Sequence, residues 1–369
     1  MLRSYSPSTS ASPILENQLG SLSLPLDQAL SPALIAGAER AQLIQRRQLA
    51  RGRIRLLVLS LLALAACAFY LLHNLDFQNP ERLAFALNLR LPKLIVMVIT
   101  AFAIGGASLV FQSVIRNNIV TPCLLGMNSL YTLIHTAVVF VLGSGSVLVL
   151  NQNYSFFLDI VLMGVIATFI YSYLFKKTRH NVLYVLLVGT ILTSFFGSLQ
   201  SAMTRLMDPN EYDALLSSLV ASFYRSNTKL ISFGLILIGL ILIFCYRQLR
   251  LLDVITMGRD VAINLGVPYE RCVQRLMLGV VLCIAVATAM VGPISFLGLI
   301  LANLARQCIQ GYRHSQLIPA SALFGVIALV GGQSIVEQYM HYAVPISVFI
   351  TVGGGIYFLY LILTRKSLS

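Results

Sequence analysis

The stretch MGRDVAINLGVP, residues 257–268, is a short polar segment that lies between two apolar ones. Gly258 and Gly266 stand on either side of it, and glycines at such positions end a short helix. Pro268 prevents the helix from continuing, because proline has no backbone N–H to donate. A helix that neither crosses a membrane nor belongs to a soluble domain is typically a contact element. We therefore expect a short helix outside the bilayer that touches another molecule.

Composition places the rest of the chain in a membrane. Only 11% of its 369 residues are charged and 57% are hydrophobic, with a mean hydropathy of +0.83. A helix needs about 20 apolar residues to cross a bilayer, and lipid offers no partner to an unpaired backbone group. The sequence predicts an all-α polytopic membrane protein with about ten transmembrane helices. These ten apolar stretches lie near 56–72, 94–115, 124–143, 156–175, 182–203, 230–246, 276–294, 296–310, 317–337 and 345–363.

The basic residues that give the net charge of +13 are distributed as the predicted topology requires. With the amino terminus inside, ten spans put the basic clusters at 40–55, 176–179, 247–275 and 365–366 on one side. The opposite side receives few Lys or Arg residues, which is the positive-inside pattern. We expect both termini in the cytoplasm, membrane lipid around the spans and no nucleic-acid partner.

Residues 1–50 differ from the remainder in composition. Ser, Pro and Gln dominate them, and they contain no apolar run long enough for a signal peptide. We expect 1–50 to be a cytoplasmic tail, largely disordered, with a short helix near 36–50. Residues 51–369 form the predicted transmembrane domain.

The sequence lacks the motifs of nucleotide binding and metal binding. There is no Gly-Lys pair, hence no phosphate-binding loop of the GxxxxGK[ST] type. The six cysteines and five histidines show no metal-ligand spacing. His135 stands alone in the third span, where it is either a functional ionisable group or a neutral side chain bonded to a helix carbonyl; Asp159 is expected to reach water. We expect no catalytic residue, no metal site and no cofactor bound by this chain.

The segment Met257 to Val267 resembles the LGxxxAxxLGV pattern of the FecCD family, the permease subunits of bacterial iron–siderophore and cobalamin ABC importers. The resemblance implies that this helix docks on an ATPase subunit, with the small Ala262 entering a groove. A plain amphipathic connector on the lipid headgroups is the alternative. The implied coupling residues are Gly258, Arg259, Asp260, Ala262, Leu265 and Gly266.

A second similarity concerns the outer end of the second span. Arg90-Leu91-Pro92-Lys93 resembles the RLPR signature of the family. It implies that Arg90 and Lys93 receive acidic residues of a solute-binding protein; the alternative is that these cations only anchor a helix end. Glu337 lies near the place where relatives carry an external arginine, which complicates such a docking surface.

The transport pathway is expected in the fifth span and near an inner loop. QSVIRNNIVTPCLLG, residues 112–126, is similar to the family's Q-x₄-NPLAxPxxLG, which implies that Asn117 is a gate residue; the alternative is a plain tight loop. GPISFLGL, residues 292–299, resembles GPIGFVGL and predicts a sharp reversal between two spans. Small residues in the fifth span can line a path, or can instead let helices pack closely. The candidates are Gly189, Thr190, Thr193, Ser194, Gly197 and Ser198.

The family resemblance implies a permease subunit of an ABC importer in the bacterial cytoplasmic (inner) membrane. It would move an iron–siderophore complex inward, beside an ATP-binding subunit, a solute-binding protein and a second permease, identical or homologous. Segments such as Gly353 to Phe358 favour the ferric catecholate branch. Alternatives are a permease for cobalamin or haem, an ion-coupled secondary transporter, or a structural subunit. The spans contain few acids, which disfavours ion coupling.

Overall fold

The computed structural model consists of α-helices and one short 3-10 turn in the part of the chain that it describes. These residues are 32–73, 75, 78–177, 182–221, 223, 228–309, 311–340 and 344–365. Most of the predicted tail, residues 1–31, lies outside the described residues. The chain divides into two units between Arg51 and Gly52, and the sites below all belong to the second unit.

Thirteen helices follow one another in the described ranges. They are α1 Pro32–Leu72, α2 Pro80–Ile115, α3 Met127–Leu142, α4 Val147–Leu150, α5 Gln152–Lys177, α6 Val182–Leu206, α7 Pro209–Leu219, α8 Thr228–Ile255, α9 Arg259–Asn264, α10 Tyr269–Val291, α11 Leu297–Cys308, α12 His314–Gln338 and α13 Ile346–Arg365; the 3-10 turn Pro122–Leu125 precedes α3.

Seven helices in the described part are long and apolar enough to cross a membrane. They lie in α1, α2, α5, α8, α10, α12 and α13. Each of the other three predicted spans also coincides with a helix. However, α3 has 16 residues and α11 has 12, which at about 1.5 Å per residue reach only about 24 and 18 Å. The third, α6, has 25 residues and reaches about 38 Å, which is long enough to cross a bilayer.

The centre of the helical unit is formed by α2, α10 and α12. Small residues let α2 and α12 approach closely: a Cβ added to Gly105 would lie 2.9 Å from the carbonyl oxygen of Ser321. The Ser321 hydroxyl donates to the Gly105 carbonyl at 3.0 Å. By contrast, only 11% of an apolar 18-residue stretch of α13 is buried. The outer face of α13 is therefore available to lipid or to another protein chain.

The predicted reversal at residues 292–299 is confirmed. α10 ends at Val291 and α11 begins at Leu297. Gly292 has a φ of +96°, and a Cβ there would lie 2.9 Å from the Cα of Ala221. Only glycine accommodates both the left-handed backbone and this close approach.

The helices define two ends of the molecule. α8 begins beside α7 and finishes at Ile255, directly before α9. We call these the α7 end and the α9 end. α2 crosses in the opposite direction, because its last residues lie at the α9 end, where Arg116 comes close to Gly258.

Candidate coupling helix and transport pathway

The predicted short helix exists and has the predicted limits. α9 comprises Arg259–Asn264, with Gly258 at a φ of +122° and Gly266 at +79°. Backbone bonds close both ends: Ala262 N donates to Gly258 O, and Val267 N donates to Ala262 O, each at 3.0 Å. The two positive φ values explain why glycine brackets this helix, since other residues adopt such a backbone only at a cost.

Burial separates α9 into an inner and an outer face. Ala262 is fully buried and belongs to the main hydrophobic core of the chain. Placing Ala262 in a groove of a partner is therefore wrong: its small side chain lets α9 lie against its own protein. The exposed apolar side chains are Val261, Ile263 and Leu265, of which Leu265 is 62% exposed.

The charges of α9 face solvent. Arg259 Nε donates to Glu270 Oε1 at 2.9 Å, and both side chains are more than half exposed. This hydrogen bond raises the pKa of Arg259. Asp260 is also exposed and lies in the first turn, where a negative charge suits the helix dipole. These charges keep α9 at the surface and contribute little to stability, because exposed pairs are screened by water.

A polar relay, which we call the α9-end relay, lies next to α9; its His314 side chain is 7% exposed and its Asp253 side chain is 37% exposed. Asp253 Oδ1 is 2.5 Å from His314 Nδ1 and accepts a bond from His314 N at 2.8 Å. His314 Nε2 is 2.8 Å from Ser113 Oγ, to which Arg306 Nη2 donates at 3.2 Å. The relay joins the last turn of α8 to α12, α2 and α11. Sequence reasoning missed it because His314 and Ser113 are 201 positions apart.

Arg90 lies at the α7 end and is bonded within the chain. Its Nη1 donates to the carbonyls of Tyr70, Leu71 and His73, at 3.3, 3.1 and 2.6 Å. These groups belong to the last turn of α1 and the residue after it, where helix carbonyls lack intrahelical partners. The geometry therefore favours the alternative that Arg90 anchors a helix end.

Lys93 is not an external docking cation. The residue is only 8% exposed, and its Nζ lies 3.4 Å from Glu337 Oε1. Glu337 is consequently paired inside the protein and leaves no isolated charge to repel an acidic partner. A buried lysine requires such a counter-charge, because an unpaired ammonium is costly to remove from water.

Asn117 lies in the turn after α2, at the α9 end. Its Oδ1 accepts a bond from Ile119 N at 2.9 Å, which is an Asx turn. The neighbouring Asn118 carbonyl accepts from Asn303 Nδ2 at 3.1 Å, which connects this turn to α11. Asn117 thus positions the turn between α2 and the Pro122–Leu125 segment, next to the inner end of α11.

The pathway candidates on α6 divide between two faces. Gly189 and Thr193 pack inward: a Cβ on Gly189 would lie 2.5 Å from Leu125 Cδ2, and Thr193 lies against Gly126. Close helix packing accounts for these two. Thr190, Ser194 and Ser198 are exposed. The space beside Gly197 is open, with no atom within 4 Å of an added Cβ. Positions 190, 194, 197 and 198 follow helical spacing, so they share one face.

The sequence predicts that His135 stands alone in its span and that Asp159 reaches water, and the structure shows neither. Asp159 is 2% exposed, and its Oδ2 lies 2.8 Å from His135 Nδ1. It does not reach water, and His135 is not alone. His135 Nε2 is also 2.8 Å from Ser218 Oγ on α7. The three side chains line a cavity of about 450 Å³ at the α7 end. Sequence reasoning could not join them, because they lie on three helices.

This architecture defines a class: a multi-pass helical membrane protein with a surface helix at one end and broken, small-residue helices inside. The chain belongs to the FecCD transport family, which its residues 54–364 match.

Two similar proteins show the extent of the relationship. The petrobactin import system permease protein YclO of Bacillus subtilis (strain 168) is 38% identical over 315 residues, 85% of this chain and 98% of that protein. The hemin transport system permease protein HmuU of Yersinia pestis is 28% identical over 284 residues, 76% of this chain and 83% of that protein.

A solved structure shares the fold. It is described as a metal-chelate type ABC transporter in an inward-facing conformation, with a TM-score of 0.69 and 21% sequence identity. The match covers 85% of this chain and 99% of that one. The helical arrangement of this chain is therefore shared with that transporter.

Proposed function

We propose that this protein is the permease subunit of an ABC importer that carries an iron–siderophore complex across the cytoplasmic membrane into the cell. ATP hydrolysis takes place on a separate subunit. Membership of the FecCD family and the names of similar permeases support this function. In the proposed topology all ten helices cross or enter the bilayer, both termini are cytoplasmic, and residues 1–50 form a tail before the permease domain 51–369.

The single observation that carries the proposal is the set of exposed apolar side chains on α9 and directly after it. Val261, Ile263 and Leu265 are 43%, 45% and 62% exposed on a helix whose other face is packed into the core. Apolar side chains on a short, charged surface helix are costly to leave in water and suit a groove on another protein. The partner proposed for this face is the ATP-binding subunit.

A second permease, identical or homologous, completes the pathway. The face of α6 with the exposed side chains of Thr190, Ser194 and Ser198, beside Gly197, offers hydroxyl groups without charge. A path between two such faces can pass a bulky polar chelate without holding it.

The relatives also include a hemin permease, so a haem permease is the second candidate.

The solute-binding protein is proposed to dock at the α7 end. Arg90 is partly exposed there, although it also holds the end of α1. Lys93 has no part in this contact, because it is buried. Electrostatic docking at the rim would weaken with salt, since exposed charges are screened over about 8–10 Å.

Coupling is tested by the substitution Leu265→Arg. We expect normal membrane insertion, loss of copurification with the ATPase subunit, and loss of substrate-stimulated ATP hydrolysis. Ser315→Arg is the matched control, because Ser315 is also exposed at the α9 end. Full ATPase coupling in the Leu265 variant at normal expression would refute the proposed docking face.

The cargo is tested by uptake assays in cells that lack other siderophore permeases and carry this chain with its ATPase and binding protein. Labelled ferric catecholate, ferric hydroxamate, ferric dicitrate, haem and cobalamin are compared. We expect uptake of a ferric siderophore, in an ATP-dependent manner. Uptake of haem alone would select the second candidate, and uptake driven by an ion gradient without the ATPase would exclude an ABC importer.

A further inference from the structure

An apolar groove lies on the surface of the helical unit, between α1 and α12. It has a volume of about 400 Å³. Its lining includes Leu62, Phe69 and Ile335, each of which is more than half exposed. The groove shares no lining residue with the cavity at the α7 end, with the α6 face or with α9. The proposed function therefore gives it no role.

Small residues create the space of the groove. Gly331 on α12 lines it, and a Cβ added there would meet no atom within 4 Å. The next residue, Gly332, packs on another side of α12, where a Cβ would lie 2.8 Å from Ile346 Cδ1. Ala65 and Ala66 line the groove from α1. One glycine of the pair thus serves close helix packing, and the other keeps the groove open.

Two polar ties of α1 lie beyond the two ends of the groove. Arg55 Nη1 donates to the carbonyl of Cys308 on one side, and Tyr70 Oη donates to Glu337 Oε1 at 3.1 Å on the other. The lining residues of α1 lie between these ties, within 62–69. Only 17% of an apolar 18-residue stretch of α1 is buried. Between its ties, α1 therefore leaves a gap beside α12 that another apolar group can fill.

The length of the groove matches one leaflet of a bilayer. Its α12 side runs from Ile327 to Tyr339, which at about 1.5 Å per residue covers about 18 Å. The hydrocarbon core of a bilayer is about 30 Å thick, so one leaflet contributes about 15 Å. Phe69 and Tyr339 lie at the α7 end, where Tyr70 contacts Glu337. The groove therefore extends from the α7 end to about the middle of the membrane.

The width of the groove excludes a helix. A volume of about 400 Å³ over a length of about 18 Å gives a mean cross-section of about 22 Å². An α-helix with its side chains is about 10–12 Å across, which is a cross-section of about 80 Å² or more. A transmembrane helix of a partner would also extend over the full thickness of about 30 Å. A single hydrocarbon chain fits both the length and the width.

The lining is chemically suited to hydrocarbon. The described residues of the wall include no charged side chain. Ser334 is 4% exposed, and its hydroxyl already donates to the Val330 carbonyl at 2.8 Å. The polar side chains of Gln338 and Tyr339 lie at the α7 end, and tyrosine is enriched where a membrane meets water. The occupant thus has an apolar chain along the groove and a polar group at the membrane surface.

We propose that this groove binds one acyl chain of a phospholipid from the leaflet at the α7 end, and that the chain packs α1 against α12. In the proposed topology this is the outer leaflet. Burial inside a membrane gains nothing from the hydrophobic effect, so the preference for the groove comes from van der Waals contact. A chain in the groove contacts both helices, whereas an unfilled gap leaves the lining atoms without partners.

Native mass spectrometry of the full-length chain tests the site. The chain is purified from membranes rich in phosphatidylethanolamine and washed with detergent until the surrounding lipid is removed. We expect one phosphatidylethanolamine to remain on the wild-type chain and none on Gly331→Leu, whose new side chain fills the groove. Ala65→Leu fills the same space from α1 and should have the same effect. Gly239→Leu on α8 is the matched control and should keep the lipid, because a Cβ at Gly239 also meets no atom within 4 Å.

Melting temperatures measure the packing of α1 by the lipid. Adding phosphatidylethanolamine back to the washed chain should raise the melting temperature of the wild type and of Gly239→Leu, since a ligand of the folded state stabilises it. The melting temperature of Gly331→Leu should not respond. Equal lipid retention and equal responses in the wild type and both groove variants would overturn the proposal and indicate surrounding lipid only.

The identity of the occupant is tested with p-benzoylphenylalanine at position 62, activated by light in the native membrane. We expect an adduct with phospholipid. An adduct with a protein chain instead, a second copy or another subunit, would show that the groove is a protein interface and overturn the proposal. None of these measurements needs the ATPase, the binding protein or a chelate, so their failure is distinct from failure of the proposed function.

Discussion

Lys93 and Glu337 form a buried ion pair that joins two of the central helices. Lys93 Nζ lies 3.4 Å from Glu337 Oε1, and the side chains are 10% and 12% exposed. The same oxygen accepts bonds from Tyr70 Oη at 3.1 Å and Gln333 Nε2 at 3.0 Å. The carboxylate of Glu337 thus gathers donors from α1, α2 and α12, and fixes the positions of these helices at the α7 end.

Lys93→Met is expected to destabilise the protein by about 3 kcal/mol, because it leaves a buried carboxylate without its counter-charge. The melting temperature of the purified chain measures this loss. Adding Glu337→Gln should restore most of the stability, since a neutral amide needs no ion partner. Arg205→Met, which removes an exposed cation at the same end, serves as the control. A Lys93 variant of unchanged stability would contradict a structural role for the pair.

Ala262→Arg is expected to prevent normal folding rather than to uncouple a folded complex. The site is fully buried, so the substitution places an unpaired charge in the core at a cost of at least about 3 kcal/mol. The yield of monodisperse protein and its melting temperature are the measurements. Asn264→Arg, at an exposed position of the same helix, should leave both unchanged. A stable, well-expressed Ala262 variant would show that α9 can move away from the core.

Gly189→Ala and Gly197→Ala form a matched pair on α6. The added Cβ would lie 2.5 Å from Leu125 Cδ2 at position 189, and would meet nothing within 4 Å at position 197. Overpacking should cost about 1–3 kcal/mol at Gly189. At Gly197 alanine should be neutral or stabilising by up to about 1 kcal/mol, because alanine favours the helix. Equal melting temperatures for the two variants would disprove close packing at Gly189.

The double substitution Ser194→Trp and Ser198→Trp tests the pathway face. Both residues are exposed on the same side of α6, so large side chains can fill the path without disturbing the core. We expect assembly with the partner subunits and a loss of uptake, because the two indole rings fill the path. Phe195→Trp, at another exposed position of α6, should transport normally. Uptake at the normal rate in the double variant would remove this face from the pathway.

Local patterns were enough to predict α9 and the reversal after α10. Both depend on glycines whose backbone conformation is set by immediate neighbours, and the structure shows Gly258, Gly266 and Gly292 at positive φ. The division of α6 into two faces could be predicted only in part from the sequence. Helical spacing predicts that Ser194 and Ser198 share a face, but only the position of Leu125 shows that Gly189 belongs to the packed side.

The sequence by itself determined the class of this protein. Hydropathy and the distribution of charge can be evaluated for each helix separately, without knowing which helices pack against it. Only the tertiary structure decided what the isolated polar residues do. Lys93 and Glu337 are 244 positions apart, and His135 and Ser218 are 83 apart. In a membrane interior an unpaired polar group is costly, and helix packing, which no local pattern encodes, selects the partner that such a group can reach.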